Sequence, residues 1–425
     1  MPKIHNKKIS IGIIGLGYVG LPLALEFSKY YETIGYDNNT HRVIDLKKGI
    51  DNTKEVTSRE LKKTSLYITS KSSNLTKCNF FIITVPTPIF KNKKPDLSFI
   101  NQATKTVSKY LKKDDIVIYE STVYPGLTNN YCVPILEKYS KLKFNLDFFC
   151  GYSPERINPG DKNHRISEIK KVTSGSNEKT RKIVDKLYSS IITAGTFSAP
   201  SIEVAEAAKV IENTQRDVNI ALINELSILF NTLNIDTTQV LEAAKTKWNF
   251  LDFAPGLVGG HCIGVDPYYL TYIAKNNGYN PRIILSGRRI NDEMYLYVYN
   301  QIIDLLPKNK KKLKLDIYFL GLTFKENVPD LRNSQTIRLI KKFKSKGHNV
   351  SVYDPVAYEN MLLKNLNIKM VNKNVSKKYD VIVGAVAHKE FKKLKINFYQ
   401  KLMKKNSIVF DIKGFMPKKI VSKSL

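Results

Sequence analysis

Cys262 lies in the run Gly259-Gly260-His261-Cys262-Ile263-Gly264-Val265-Asp266-Pro267. A lone cysteine is most often a small inert hydrophobe. In this setting, glycines permit close backbone approach to a ligand, and Asp266 stands where a carboxylate can orient a water or tune a thiol. That combination suits a covalent nucleophile. His261 has the chemistry of an activating base, but side chains of adjacent residues often diverge, which weighs against that role.

Lys209 and Asn213 are spaced i and i+4 in a helical stretch, so an ammonium and an amide project from one face. Two such donors can hold a developing oxyanion, although an isolated pair of this kind is by default a solvated helix face. Glu155, in Ser153-Pro154-Glu155-Arg156, follows a strand-like run and can serve as a general base or as an ion-pair partner; spacing does not choose between them. Gly15-Leu16-Gly17-Tyr18-Val19-Gly20 is the pattern that turns tightly, approaches a pyrophosphate and packs a helix on a sheet. About 20 residues on, Asp37 ends a strand, where a carboxylate accepts hydrogen bonds from ribose hydroxyls and repels a 2′-phosphate. The expected cofactor is therefore NAD, with Arg42 as a counter-signal that could equally stack on adenine. Thr84-Val85-Pro86-Thr87-Pro88 and Ser121-Thr122-Val123-Tyr124-Pro125-Gly126 lie at carboxyl ends of strands, where open α/β sheets place ligands; Pro and Gly there also suit plain turns.

These residues need a scaffold. Strand-like runs at 8–14, 33–36, 80–85, 115–119 and 148–151 alternate with helical or polar stretches, which predicts a parallel doubly wound α/β sheet. From about 201 to 233 the pattern changes to one long amphipathic helix, and more helical sequence continues past Gln301. Pro307 and the basic run 308–314 mark a boundary. Beyond it, strands at 317–321, 350–353, 381–385 and 407–410 repeat the first outline, and Val352-Tyr353-Asp354 echoes Gly35-Tyr36-Asp37. The expectation is two Rossmann-like domains joined by a long central helix, divided as 1–198, 199–306 and 307–425. The second lacks the glycine fingerprint and is expected to bind something other than a dinucleotide.

The 425 residues, with 68 Lys and Arg against 38 Asp and Glu, carry a formal charge of +30. Such a charge suggests nucleic acid. Lysines are spread along the whole chain, however, and the wealth of Asn, Ile and Tyr resembles the bias of an AT-rich coding sequence, so no nucleic-acid partner is expected. A basic field would still speed the arrival of a dianionic ligand. The four cysteines form no CxxC pair, which argues against a disulfide framework or a thiolate zinc site. Glycines and Glu26 break the apolar start, and no stretch approaches the roughly 20 apolar residues of a membrane span. A soluble cytoplasmic protein without membrane insertion is expected.

Taken together, GLGYVGLPLA from Gly15, STVYPG from Ser121, the Pro-Glu at Pro154, KVIEN from Lys209, GGHCIGVDP from Gly259, GLTFKENVPDLRNS from Gly321 and the YDP at Tyr353 resemble the UDP-glucose/GDP-mannose dehydrogenase family over nearly the whole chain. The resemblance implies an N-terminal NAD domain, a central dimerisation helix giving a homodimer, a C-terminal UDP-binding domain, and no metal. It places Thr122, Glu155, Lys209, Asn213, Cys262 and Asp266 on the family's active-site positions. It further implies cofactor contacts at Gly15, Gly17, Tyr18, Val19, Gly20, Asp37, Arg42, Thr84, Pro86, Thr87, Thr122 and Arg332. Substrate contacts are implied at Glu155, Arg156, Asn158, Lys209, Asn213, Phe253, Gly256, Gly259 and Lys325. The implied reaction oxidises C6 of a UDP-sugar twice, to a carboxylate, through a thioester on Cys262.

HCIGVDPYYL and KWNFLDFAPGLVGG look like the UDP-N-acetylhexosamine members from bacteria, whose products feed capsule and O-antigen. UDP-glucose and UDP-N-acetylmannosamine are the alternative substrates, and a nonenzymatic NAD sensor or nucleic-acid binder is the alternative class. One departure is Asp411-Ile412-Lys413-Gly414, where UDP-glucose enzymes carry an arginine; a lysine there loses bidentate recognition.

Overall fold

Phe80-Phe81-Ile82-Ile83 is a continuous apolar run with no polar face, as a strand covered on both sides must be. In the computed structural model Phe80 and Ile82 join one core cluster while Phe81 and Ile83 join another. The structure describes all residues except 1–2, 5–6, 157–165, 312, 358–366 and 374; Asn158 therefore lies outside the described residues. The chain forms two compact units, Met1–Glu212 with Tyr268–Tyr279, and Asn213–Pro267 with Asn280–Leu425.

The first unit is built on β1 (Ser10–Ile14), β2 (Glu32–Tyr36), β3 (Tyr67–Thr69), β4 (Phe80–Ile83), β5 (Ile116–Tyr119), β6 (Phe149–Tyr152), β7 (Lys171–Gly175) and β8 (Thr196–Ser198). They form one sheet in the order β8-β7-β6-β5-β4-β1-β2-β3. All pairs are parallel except β6 with β7, where Gly151 faces Gly175. The sheet is otherwise the parallel one expected, with this single departure. A parallel neighbour needs a crossover, usually helical, whereas β6 and β7 are joined by a loop whose described part holds only the short turn Ile166–Glu168. Helix α1 (Gly20–Ser28) follows β1 and buries Leu21, Leu23, Ala24 and Phe27 against the sheet.

The predicted central helix is present as α2 (Ile202–Thr232), 31 residues long, and the division between units falls inside it. In the second unit, α3 (Arg282–Leu305) precedes a six-stranded sheet of β9 (Asp316–Leu320), β10 (Asn349–Tyr353), β11 (Lys369–Met370), β12 (Tyr379–Gly384), β13 (Met403–Asp411) and β14 (Lys423–Ser424). Its order is β11-β10-β9-β12-β13-β14, all parallel. Ile317 and Phe319 pack on one face with Leu339, Ile340 and Phe343, while Tyr318 and Leu320 pack on the other. Both expected Rossmann-like sheets are thus present.

Candidate active site

In the first unit the chain leaves β1 through Gly15, at φ 97°. Gly15 N donates to Tyr36 O at 2.8 Å. A Cβ on Gly20 would lie 1.8 Å from Gly15 O and 2.3 Å from Thr84 Oγ1, so this position accepts nothing larger, whereas Gly17 has open space before it. Thr84 braces the turn by donating from Oγ1 to Gly15 O at 2.8 Å. Asp37 is half-buried; its Oδ2 accepts Leu16 N and its Oδ1 accepts Asn39 N, each at 2.8 Å. A carboxylate has about four lone-pair sites, so Asp37 keeps capacity for ligand hydroxyls. Tyr18 and Val19 complete the turn into α1, with Leu23 N donating to Val19 O. This cradle fits a dinucleotide.

Arg42 Nε donates to Leu16 O at 2.9 Å, and its guanidinium pairs with Asp51 at 2.8 Å. Burial pushes the Asp51 carboxyl up, but hydrogen bonds from Thr53 and Val56 and the charge of Arg42 hold it below its ordinary range. Arg42 is thereby fastened to the fold.

Pro86 is exposed and Thr87 O accepts the Tyr269 hydroxyl at 3.0 Å. Ser121 Oγ donates to Val85 O at 2.6 Å, so the two strand-end loops are tied together beside the half-buried Thr122. Glu206, on α2, accepts Gly126 N at 2.6 Å and Thr128 N at 2.9 Å, which anchors the loop after Thr122. The sequence reading missed Glu206; its place three residues before Lys209 on one helix was the available signal. Lys209 and Asn213 are both buried, which removes the solvated-face alternative for the pair. Glu155 is also buried, with Oε1 accepting Arg156 N at 2.6 Å, and Arg156 pairs with Glu212 and donates to Lys170 O.

In the second unit Asn213 Nδ2 donates to Asp266 Oδ2 at 2.6 Å, and Asp266 N donates to Cys262 O at 2.8 Å. The amide holds a second N–H beyond the one given to Asp266. The structure thus brings Asn213, Asp266 and the Cys262 turn together. Cys262 is partly accessible, while Cys78, Cys132 and Cys150 are buried and all four are unpaired. Burial pushes the Cys78 and Cys132 thiols up to about 12.

The His261 ring, which adjacency weighed against, lies close enough to Cys262 for that side chain to favour its charged form. Its Nδ1 lies 3.5 Å from Asp330 Oδ2 and 3.2 Å from Arg332 Nη2. Burial lowers the imidazole, but Asp330 and Cys262 outweigh it and push His261 up to about 9. The protonated ring faces Asp330; only the neutral ring can accept from Arg332. Arg332 is itself forked onto Asp330, with Nε 3.0 Å from both carboxylate oxygens.

The glycines before Cys262 admit the protein's own loop: a Cβ on Gly260 would lie 2.6 Å from the Phe324 ring, and one on Gly259 2.8 Å from Asn333 O. Gly259 also lines a cavity of about 350 Å³ together with Leu257, Phe324, Lys325, Glu326 and Lys413. Gly256 is clamped by Asn224, which accepts its N–H at 2.8 Å and donates to its carbonyl at 3.1 Å, while Phe253 is half-buried nearby in sequence. Lys413 stands at the exposed rim of that cavity, whose lining also includes Glu326. Two lysines on one cavity wall suit a phosphate-bearing ligand. Among the described residues no group of three or more His, Cys, Asp or Glu could hold a metal ion, and no helix is long and apolar enough to cross a membrane.

A dinucleotide cradle on one sheet and a lysine-lined cavity on another define a class of two-domain nucleotide-binding proteins. Three family models match in order: the UDP-glucose/GDP-mannose dehydrogenase family NAD binding domain over residues 9–192, its central domain over 203–293 and its UDP binding domain over 318–418. A UDP-N-acetyl-D-glucosamine 6-dehydrogenase of Pseudomonas aeruginosa is 54% identical, over 96% of this chain and 97% of that one. The enzyme of the same name from Salmonella typhi is 50% identical, over 96% and 97%. The solved structure of a UDP-D-ManNAc dehydrogenase from Pyrococcus horikoshii superposes with a TM-score of 0.88 at 30% identity, over 98% of this chain and 99% of that one. The chain belongs to the UDP-glucose/GDP-mannose dehydrogenase family and is a nucleotide-sugar dehydrogenase with NAD as its cofactor.

Proposed function

We propose that the protein oxidises the C6 hydroxyl of UDP-N-acetylglucosamine to the carboxylate, and that Cys262 carries the sugar as a thioester between the two oxidations. The observation that carries this reading is the partly accessible Cys262 beside His261, in a chain whose other three thiols are buried. The names of the relatives at 54% and 50% identity favour N-acetylglucosamine. The Pyrococcus structure makes UDP-N-acetylmannosamine the main competitor.

Gly15, Gly17 and Gly20 with Asp37 would hold NAD, together with Tyr18, Val19, Thr84, Pro86, Thr87, Thr122 and Arg332. When bound, NAD would supply the oxidising power, with one molecule consumed in each of two rounds to take a hydride from C6 while the oxygen's proton passes to solvent. Cys262 sulfur adds to the aldehyde carbon after the first round, and the C–S bond keeps the aldehyde from leaving. Lys209 and the second N–H of Asn213 would donate to the oxygen on C6 as charge develops there. His261, carrying charge from its contact with Asp330, would face the sulfur as it becomes anionic. Glu155, Thr122 and Asp266 would position the water that cleaves the thioester, with Glu155 taking its proton. Lys325 and Lys413 would meet the diphosphate, while Arg156, Phe253, Gly256 and Gly259 shape the sugar's surroundings. Exposed Val204, Ile211, Leu222 and Leu229 along α2 support a homodimer through that helix, and four unpaired cysteines suit a reducing cytoplasm.

The test is a panel of UDP-sugars with NAD, followed by mass analysis of protein and product. UDP-N-acetylglucosamine should give the highest kcat/KM; a clear preference for another sugar overturns that assignment. Cys262→Ser should stall with an ester-linked sugar or turn over at less than about a thousandth of the normal rate. Cys262→Ala should show no covalent species, and uronate formation by it at the normal rate overturns the thioester route.

A further inference from the structure

Behind Glu155, in the first unit, stands a set of ionisable side chains that the reaction above does not use. Glu120 follows the end of β5, Lys171 opens β7, and Tyr188 comes from the helix Glu178–Ser189. Lys171 Nζ donates to Glu120 Oε2 at 2.8 Å and to Pro154 O at 3.0 Å, and lies 3.8 Å from Glu155 Oε2. The Tyr188 hydroxyl donates to Glu120 Oε1. The Lys171 and Glu120 side chains are 3% and 0% exposed.

Two carboxylates thus share one buried ammonium. A buried ion pair requires one carboxylate for each cation; a second leaves excess negative charge that a proton relieves. Burial and the Glu155 charge outweigh the pull of Lys171 and push Glu120 up to about 7. Among the described residues, the titratable groups facing Glu120 are Lys171, Glu155 and Tyr188. Burial and the Glu120 charge hold the tyrosine far above its ordinary range, so it stays a neutral donor.

We propose that Glu120, Lys171 and Glu155 form a proton-holding triad in which Lys171 positions Glu155 and Glu120 decides how fully Lys171 belongs to it. This rests on the reading of Glu155 as the carboxylate that takes the proton of the hydrolytic water. With Glu120 protonated, the ammonium serves Glu155 alone and restrains it. With Glu120 ionised, the ammonium is shared and Glu155 is freer to take a proton. The proton that leaves Glu120 goes to solvent, and no bond to substrate is involved. Lys171 and Glu120 are positioning residues.

Replacing Lys171 alone would strand two buried carboxylates and could prevent folding, so Glu120→Gln carries the test. Its kcat with UDP-N-acetylglucosamine and saturating NAD is compared with that of the unaltered enzyme across a range of pH spanning about 7. The ratio of unaltered to variant kcat should grow with pH by about three- to tenfold, with KM unchanged, because the variant is locked in the restrained form. A ratio independent of pH overturns the proposal, since a merely structural role would scale activity equally at every pH. Infrared difference spectra of the protein without substrate should show a carboxylic C=O band that titrates near neutrality and is missing from Glu120→Gln. Absence of that band from the unaltered protein also overturns the triad. Glu155→Gln separates the two layers. Normal turnover by it overturns the role of Glu155, and with it the effect on catalysis, while the infrared band still reports the shared proton.

Discussion

The two sheets repeat one device and use it differently. In the first unit Gly15, at φ 97°, donates to Tyr36 O, and the next residue, Leu16, donates to Asp37 at the end of the neighbouring strand. In the second, Gly321, also at φ 97°, donates to Tyr353 O, and Leu322 donates to Asp354. Beyond that point they part. Asp37 is half-buried and accepts two backbone N–H groups. Asp354 is fully buried and accepts four, from Leu322, Thr323, Val356 and Ala357, as well as His388 Nε2 at 3.1 Å. His388 Nδ1 accepts Asn327 N at 2.9 Å, which sets the tautomer that donates to Asp354. The first acid keeps lone pairs for a ligand. The second is saturated and holds the loop that carries Lys325, so its ligand must be met by side chains of that loop.

The largest effect expected from this contrast is on stability. Asp354→Ala strands four backbone donors and an imidazole N–H in a fully buried site, at about 1–3 kcal/mol for each group left unsatisfied, so a total loss of at least about 5 kcal/mol is expected. Asp37→Ala should lose about 1 kcal/mol, because water reaches its partners. Urea unfolding of both variants checks this. Equal losses would break the distinction between a scaffold acid and a ligand acid.

Binding should show the reverse order. Asp37→Ala should raise KM for NAD by about tenfold to a hundredfold and shrink the preference over NADP, since the repulsion of a 2′-phosphate is gone. Arg42 will not replace that selectivity, being fastened to Asp51 and Leu16 O. Steady-state kinetics with both cofactors is the measurement. An unchanged KM for NAD would mean that Asp37, like Asp354, serves only the fold.

Much of this was legible in the residues. The strands at 80–85, 115–119 and 317–321 announced themselves because burial on both faces demands nearly continuous apolar runs. Those at Lys171–Gly175 and Thr196–Ser198 did not, because Lys-Val-Thr-Ser-Gly and Thr-Phe-Ser carry no such signal. Their polar side chains are satisfied by tertiary partners: Lys171 by Glu120, Thr173 by Asp185. At the site, the repeated Tyr-Asp strand ends were visible, but the saturation of Asp354 was not, since His388 is 34 residues away. Glycines around Cys262 suggested close approach to a ligand; part of what approaches is Phe324. His261 was weighed down by its adjacency to Cys262, and its contacts with Asp330 and Arg332, about 70 residues away, left no local signal.

The smallest effect expected concerns a second acid of the same unit. Unlike sealed Asp354, Asp330 divides its charge between Arg332 and His261. His261 lies at about 9 in the folded chain against an ordinary 6.5, so its proton binds more tightly to the folded than to the unfolded form. The stability this contributes is complete below 6.5, declines as pH rises, and is gone above about 9. With the ring 28% exposed and charges screened by solvent, the loss across that window should be on the order of 1–2 kcal/mol. Urea midpoints measured on both sides of the window should fall for the unaltered protein and stay flatter for His261→Gln. Parallel curves would show that the ring is neutral throughout and that Nδ1 accepts from Arg332 instead of facing Asp330. Asp330 would then be a closed pair with Arg332, and both acids of the second unit would be scaffold.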